Sequence, residues 1–180
     1  PEFKDFASVA AHLGGLGFFY WDLSLERIGR TLHWLEDLVP AMTHRPAAAH
    51  VVGTNGKGST ATFLAALGQA QGLSAGLYTS PHFLSVRERI LVDGKPLSEE
   101  EWVVCANFVR QAGGESLTYF EFVTALAAVA FARAKVDLAV WEAGLGARSD
   151  AVTAVPADVV LFTPIGLDHE NILGEGLAAI

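Results

Sequence analysis

A lysine held between two glycines, Gly56-Lys57-Gly58, with hydroxyls following at Ser59 and Thr60, is a set of groups suited to a phosphate. Glycine lets successive backbone N–H groups turn toward one point with no Cβ in the way, and a helix start adds partial positive charge there. Lys57 would supply a cation for the outer phosphates, and Ser59 or Thr60 a hydroxyl ligand for a Mg²⁺ riding on them. The elements that must position these groups lie on either side. Val51 and Val52 read as the end of a buried strand, Gly53-Thr54-Asn55-Gly56 as a loop, and Thr60 to Leu67 as a helix. The strict pattern G-x-x-x-x-G-K-[ST] is not met, because position 51 is Val and Gly58 separates Lys57 from Ser59. A tight strand-to-helix turn that happens to carry lysine is the plainer alternative, and the strand–loop–helix context of the whole set favours phosphate.

Other chemistry-bearing residues stand at the ends of further apolar runs. Ala75 to Thr79 reads as a second buried strand leading into Ser80-Pro81-His82. Val136 to Trp141 reads as a third, delivering Glu142 and then the turn Ala143-Gly144-Leu145-Gly146. Asp158 to Thr163 reads as a fourth, leading to Asp168-His169. Ligands of open parallel sheets sit at the carboxyl ends of the strands, so Ser80, Glu142 and His169 are expected on one edge with the phosphate loop. A carboxylate there is the usual second support for nucleotide-bound Mg²⁺, although an acidic strand end is otherwise often plain surface. Ser80 could equally be a turn hydroxyl. His169 could be a satisfied structural residue, and imidazole completes a Mg²⁺ shell less readily than oxygen does.

Around these stand helices. The first is expected from Phe3 to Leu13, ended by Gly14-Gly15-Leu16-Gly17, and the second from Ser24 to Pro40, with Leu25, Ile28, Leu32, Leu35 and Leu38 at helical spacing. A connector at 44–50 precedes the phosphate loop, and Gly72 caps the helix after it. Arg87 to Pro96 has the alternation and Asp93-Gly94 turn of a strand entering a reversal. Ser98 with Glu101, and Thr118 with Glu121, have capping-box spacing before two more helices. Cys105 lies inside the first of these as a core residue. A last helix is expected after Gly174, and the chain stops inside it.

The totals narrow the field. A chain of 180 residues with 51% hydrophobic content and 18 glycines fits a compact α/β enzyme domain. The net charge of −8 excludes a general nucleic-acid or anionic-membrane footprint, so an anionic ligand must be met locally. One cysteine excludes an internal disulfide and a cysteine metal cluster, and suits the cytosol. No apolar run is long enough to span a membrane, and the acidic opening Pro1-Glu2-Phe3-Lys4-Asp5 lacks the basic start of a signal peptide. A cytoplasmic monomer is the expectation.

Gly53-Thr54-Asn55-Gly56-Lys57-Gly58-Ser59, Thr79-Ser80-Pro81-His82, the stretch Arg87 to Gly94, Leu117-Thr118-Tyr119-Phe120-Glu121, Glu142 to Thr153 and Leu167-Asp168-His169 resemble, in order and spacing, the ATP-dependent Mur-type amide ligases. Within them they resemble folylpolyglutamate synthase and dihydrofolate synthase. Trp21 to Arg27 is similar to that family's D-L-G-L-E-R turn near the pteridine site, with Ser24 in place of Gly. Ala147, Val152 and Thr153 also depart from the family pattern, on the substrate side of the Glu142 loop.

The resemblance implies a P-loop-like, mainly parallel sheet of the Mur central-domain type, incomplete at its C-terminus. Residues 1–43 would be a helical lead-in and 44–180 the α/β core of an N-terminal ATP-binding domain. It implies ATP bound at Gly53, Thr54, Asn55, Gly56, Lys57, Gly58 and Ser59. Mg²⁺ is implied at two sites, with Ser59 serving the nucleotide metal and Ser80, Glu142 and His169 the second. Lys57, Glu142 and His169 would carry catalysis. A pteroate or folate would lie near Asp22, Leu23, Ser24, Thr118, Tyr119, Phe120, Glu121 and Asp150, with Tyr119 or Phe120 stacking on its ring. The reaction implied is acyl-phosphate formation on dihydropteroate or a folate, followed by attack of L-glutamate. A carbamylated lysine and a glutamate-binding C-terminal domain would lie beyond Ile180. Competing readings are a peptidoglycan-type Mur ligase, a phosphate-loop kinase or NTPase switch, and a non-catalytic nucleotide-binding module.

Overall fold

A computed structural model of the chain describes residues 2–17 and 24–177. In order they form α1 (Phe6–Gly15), α2 (Glu26–Leu38), β1 (Ala47–Val52), α3 (Lys57–Ala70), β2 (Ala75–Tyr78), β3 (Ile90–Val92) and β4 (Lys95–Pro96). Then come α4 (Glu99–Gln111), α5 (Tyr119–Ala134), β5 (Leu138–Glu142), β6 (Val159–Phe162) and α6 (Glu170–Leu173). The strands make one sheet in the order β4-β3-β2-β5-β1-β6. β2, β5, β1 and β6 run parallel, and the β3–β4 hairpin adds antiparallel beside β2. The mainly parallel α/β sheet expected from the sequence is therefore present.

Strand alternation divides the core into two layers. Val51, Leu77 and Val140 face α3 and pack on Ala61 and Ala65. Tyr78, Ala139 and Trp141 face α5. The α5 sequence is apolar on nearly every side, and the helix is buried accordingly, with the sheet against one side and α2 and α4 against the other. Thr118 and Glu121 close its first turn with a reciprocal capping box, and Lys135 in the left-handed region (φ 52°) ends it. Ser98 and Glu101 do the same for the start of α4. Cys105 sits in this layer, its thiol pushed up to about 12 by burial, which makes it an inert core residue.

Several boundaries differ from the sequence expectation. Part of the 44–50 connector is strand, because Ala47 to His50 pair with β5. α3 begins at Lys57 and not at Thr60, since Gly56 in the left-handed region (φ 84°) turns the chain straight into the helix. α1 starts at Phe6 and continues through Gly14 and Gly15. Leu25 is the N-cap residue of α2, while the Glu26 N–H donates to Ser24 Oγ at 3.3 Å. The segment 174–177 is not helical, and the short α6 precedes it. Among the described residues no helix is long and apolar enough to cross a membrane.

The fit between β2 and α5 leaves no room at Gly76, where a Cβ would stand 2.6 Å from Phe131 Cδ1. Gly76→Ala is expected to cost about 1–3 kcal/mol by overpacking. Urea denaturation reads this, and Gly76→Ala/Phe131→Leu should recover part of the loss; an unchanged midpoint in the single variant would contradict the packing described.

Candidate nucleotide and metal site

The loops after β1, β2, β5 and β6 all leave the carboxyl edge of the sheet, where their residues meet. The loop Gly53 to Gly56 is held from the β6 side. Thr54 and Asn55 N–H both donate to Pro164 O, at 3.0 and 3.2 Å. Thr54 Oγ1 donates to Gly166 O and accepts from Gly166 N–H at 3.0 and 2.9 Å. Gly53 (φ 131°) is required by this docking, since a Cβ there would stand 2.7 Å from Thr163 O. Lys57 Nζ donates back to Gly53 O at 2.8 Å and Thr54 O at 3.3 Å, so the ammonium lies on the loop itself. A cavity of about 70 Å³ opens here, lined in part by Gly53, Thr54, Lys57, Gly144, Asp168 and His169.

Glu142 ends β5 inside the protein, at 5% exposure. Its Oε2 accepts the Ser80 N–H at 2.8 Å, and both carboxylate oxygens crowd Gly58, where a Cβ would stand 3.3 Å away. A side chain at the third glycine of the loop would press on the carboxylate that lies against the first turn of α3. Burial raises the Glu142 pKa, while the Ser80 amide, the Lys57 and Arg89 charges and the Gly58 amide oppose that rise. A buried carboxyl under this penalty suits a hard divalent cation, which would restore the ionised form.

His169 lines that cavity, which Ser59, Ser80 and Glu142 do not, and lies in the left-handed region (φ 55°) at the start of α6. Its side chain is half-exposed, with Nε2 3.8 Å from Asp168 Oδ2. Among the described residues no three His, Cys, Asp or Glu side chains converge as a metal cluster. The set Ser59, Ser80, Glu142 and His169 contains only two residues of those types, so its fit to Mg²⁺ rests on Glu142 and the hydroxyls.

Of the residues expected on the acceptor side, those described have structural partners that the sequence does not reveal. Asp22 and Leu23 lie outside the described residues. Glu121, 3% exposed, accepts Thr118 N–H at 2.8 Å and a forked Arg27 guanidinium at 3.1–3.3 Å. Asp150, 4% exposed, accepts Gly144 N–H at 2.9 Å, Leu145 N–H at 2.8 Å and Val152 N–H at 3.0 Å, fixing the turn that follows Glu142. Phe120 is half-buried, 5.8 Å from the Tyr78 ring, and lies over Gly144, where a Cβ would meet its Cζ at 2.8 Å. Tyr119 is buried with the Arg89 guanidinium 5.3 Å from its ring centroid. Arg89 Nε also donates to His82 Nδ1 at 2.9 Å, a link that no spacing rule signals. Burial, with the Arg89 charge beside it, lowers the His82 pKa.

A glycine loop at a helix start, with a buried carboxylate on that helix's first turn, defines a phosphate-loop α/β domain. No protein-family model matches the chain. It is similar to the dihydrofolate synthase/folylpolyglutamate synthase of Escherichia coli, 40% identical over 169 residues that cover 93% of this chain and 39% of that protein. Its fold matches E. coli FolC in complex with DHPP and ADP at TM-score 0.89 and 37% identity, over 99% of this chain and 43% of that one. It also matches a bifunctional folylpolyglutamate synthase/dihydrofolate synthase with Mn, AMPPNP and L-glutamate bound, at TM-score 0.85 and 37% identity, over 98% of this chain and 42% of that one. The chain belongs to the folylpolyglutamate synthase/dihydrofolate synthase family, and it spans about two fifths of the length of these relatives.

The Asp150 carboxyl is pushed from 3.8 up to about 6 by burial, against the three amides that favour its ionised form. The folded state therefore binds more protons than the unfolded state between those values. Stability from this group is fully present below about pH 4 and is lost as pH rises through about 6. Between about pH 4 and pH 7 the wild type should lose on the order of 2 kcal/mol relative to Asp150→Asn. Urea titrations of both proteins at the two pH values check this; parallel pH dependences would contradict it.

Proposed function

We propose that the protein carrying this chain is an ATP-dependent amide ligase that adds L-glutamate to dihydropteroate, folates or both, forming ADP and phosphate. The observation that carries the reading is the buried Glu142 carboxylate packed on the first turn of the phosphate-loop helix, in a chain whose relatives bear these ligase names. A carboxylate of the acceptor attacks the γ-phosphorus of ATP, giving an acyl phosphate and ADP. The amine of L-glutamate then attacks the acyl carbon; the C–O bond to phosphate breaks, phosphate leaves with its electrons, and the amine gives up a proton.

Gly53 to Ser59 are assigned to ATP, with Lys57 and the amides of the first α3 turn stabilising charge that builds on the transferred phosphoryl group. Lys57 must leave its carbonyl partners in the loop to do so. Ser59 is assigned to the nucleotide Mg²⁺, and Ser80, Glu142 and His169 to a second one. Bound there, Mg²⁺ supplies Lewis-acid neutralisation of the phosphate oxygens. Ser24, Thr118 and Phe120 are assigned to the acceptor wall along with Asp22 and Leu23, and Phe120 is its aromatic surface because Arg89 covers the face of Tyr119. Glu121 and Asp150 serve that wall by holding its backbone.

Residues 1–43 are read as a helical lead-in and 44–180 as the phosphate-loop core of the ATP-binding domain. The protein is read as a monomer. Glutamate contacts are placed outside this stretch, in keeping with relatives more than twice its length. The single cysteine fits a cytoplasmic setting.

The test is ADP release by the full-length protein. ADP should accumulate over many turnovers only when an acceptor (dihydropteroate or a folate) and L-glutamate are both present, and Lys57→Ala should lower kcat/KM by on the order of a hundredfold or more. Sustained ADP release with both co-substrates absent would favour an NTPase switch over the ligase.

A further inference from the structure

Arg89 is buried at 3% exposure, at the end of a 3-10 turn leading into β3. Three of its contacts join parts of the site that come from different loops. Its carbonyl accepts the N–H of Thr79, the residue before Ser80, at 2.9 Å. Its Nε donates to His82 Nδ1 at 2.9 Å, so one residue holds the Ser80-Pro81-His82 turn at both ends. Its guanidinium carbon lies 5.3 Å from the ring centroid of Tyr119, which begins α5 and precedes Phe120. A guanidinium has donors and no acceptor, so His82 Nδ1 must present its lone pair, and the neutral ring carries its hydrogen on Nε2.

We propose that Arg89 is a positioning residue: it locks the turn carrying Ser80 and His82 to the Tyr119–Phe120 wall, fixes His82 as the Nε2–H tautomer, and thereby sets the spacing between the phosphate side and the acceptor side of the site. Lysine cannot substitute, because one point charge cannot both donate in the plane of the fork and lay a flat cation on the ring. The inference rests on the ligase reading only for which substrate each wall binds; the mechanical coupling stands without it.

Two measurements test it. Long-range ¹⁵N–¹H NMR of the histidine-labelled full-length protein reads the His82 tautomer with no substrate present. The wild type should show hydrogen on Nε2, and Arg89→Lys should lose that single tautomer. In steady-state ligase kinetics of the full-length protein, Arg89→Lys should raise KM for the acceptor about tenfold or more while KM for ATP stays within about threefold. His82→Leu cuts the same link from its less buried end, so it should give the same split even where Arg89→Lys does not fold. Hydrogen on Nδ1 in the wild type, or equal rises in both KM values for His82→Leu, would overturn the proposal. A wild type that forms no ADP would instead sink the ligase reading and leave the tautomer measurement to decide the coupling.

Discussion

The arrangement turns on one buried carboxylate. Glu142 leaves the end of β5 and meets the first turn of α3 and the Ser80 amide, so three loops are referenced to one pair of oxygens. A carboxylate in that position carries a desolvation penalty that two amides and two nearby cations offset but do not remove, as its raised pKa shows. The architecture around it follows. Gly58 leaves room for the carboxylate, β5 lies between β1 and β2, and Asp150 holds the turn after Glu142.

Asp150, Glu121 and Arg89 form a supporting layer behind the site. Asp150 and Glu121 spend their oxygens on backbone N–H groups, and Glu121 also on the Arg27 fork that ties α2 to the start of α5. Arg89 occupies the face of Tyr119. These side chains are therefore unlike Lys57, Ser59 and His169, which stand half-buried or exposed at the carboxyl edge of the sheet. Two kinds of residue sit in the same motifs: those proposed to touch a ligand and those that hold the backbone still for them, and preorganisation by the second kind sets the geometry of the first.

Much of this was legible in the chain. The strands announce themselves as short apolar runs, each ending at a residue able to do chemistry, and both capping boxes form as their spacing predicts. The residues that organise the supporting layer were not legible in the same way. Glu121 reads correctly as a capping residue, but its pairing with Arg27 spans 94 positions, and no local pattern encodes it. The reason for Gly53 and Gly58 was also hidden. Their spacing suggests a phosphate cradle, whereas their immediate constraints are Thr163 and Glu142, contacts that exist only once the sheet has assembled. The sequence points to a later start for α3 because Gly58 and Ser59 have weak helix propensity, which the left-handed Gly56 and docking on the sheet override. Lys57 itself reads as a free cation in the sequence and is a ligand of its own loop in the structure.

The central claim is that Glu142 supports a divalent cation beside a nucleotide on the loop of Lys57. Electron paramagnetic resonance of Mn²⁺ titrated into the full-length protein with a non-hydrolysable ATP analogue addresses it directly. The account predicts that bound Mn²⁺ appears with the analogue and is sharply reduced in Glu142→Gln, a variant that keeps the shape of the side chain and removes its charge. Unchanged Mn²⁺ binding in that variant, with the fold intact by circular dichroism, would contradict the account and leave Glu142 as a structural tether of the Ser80 turn alone.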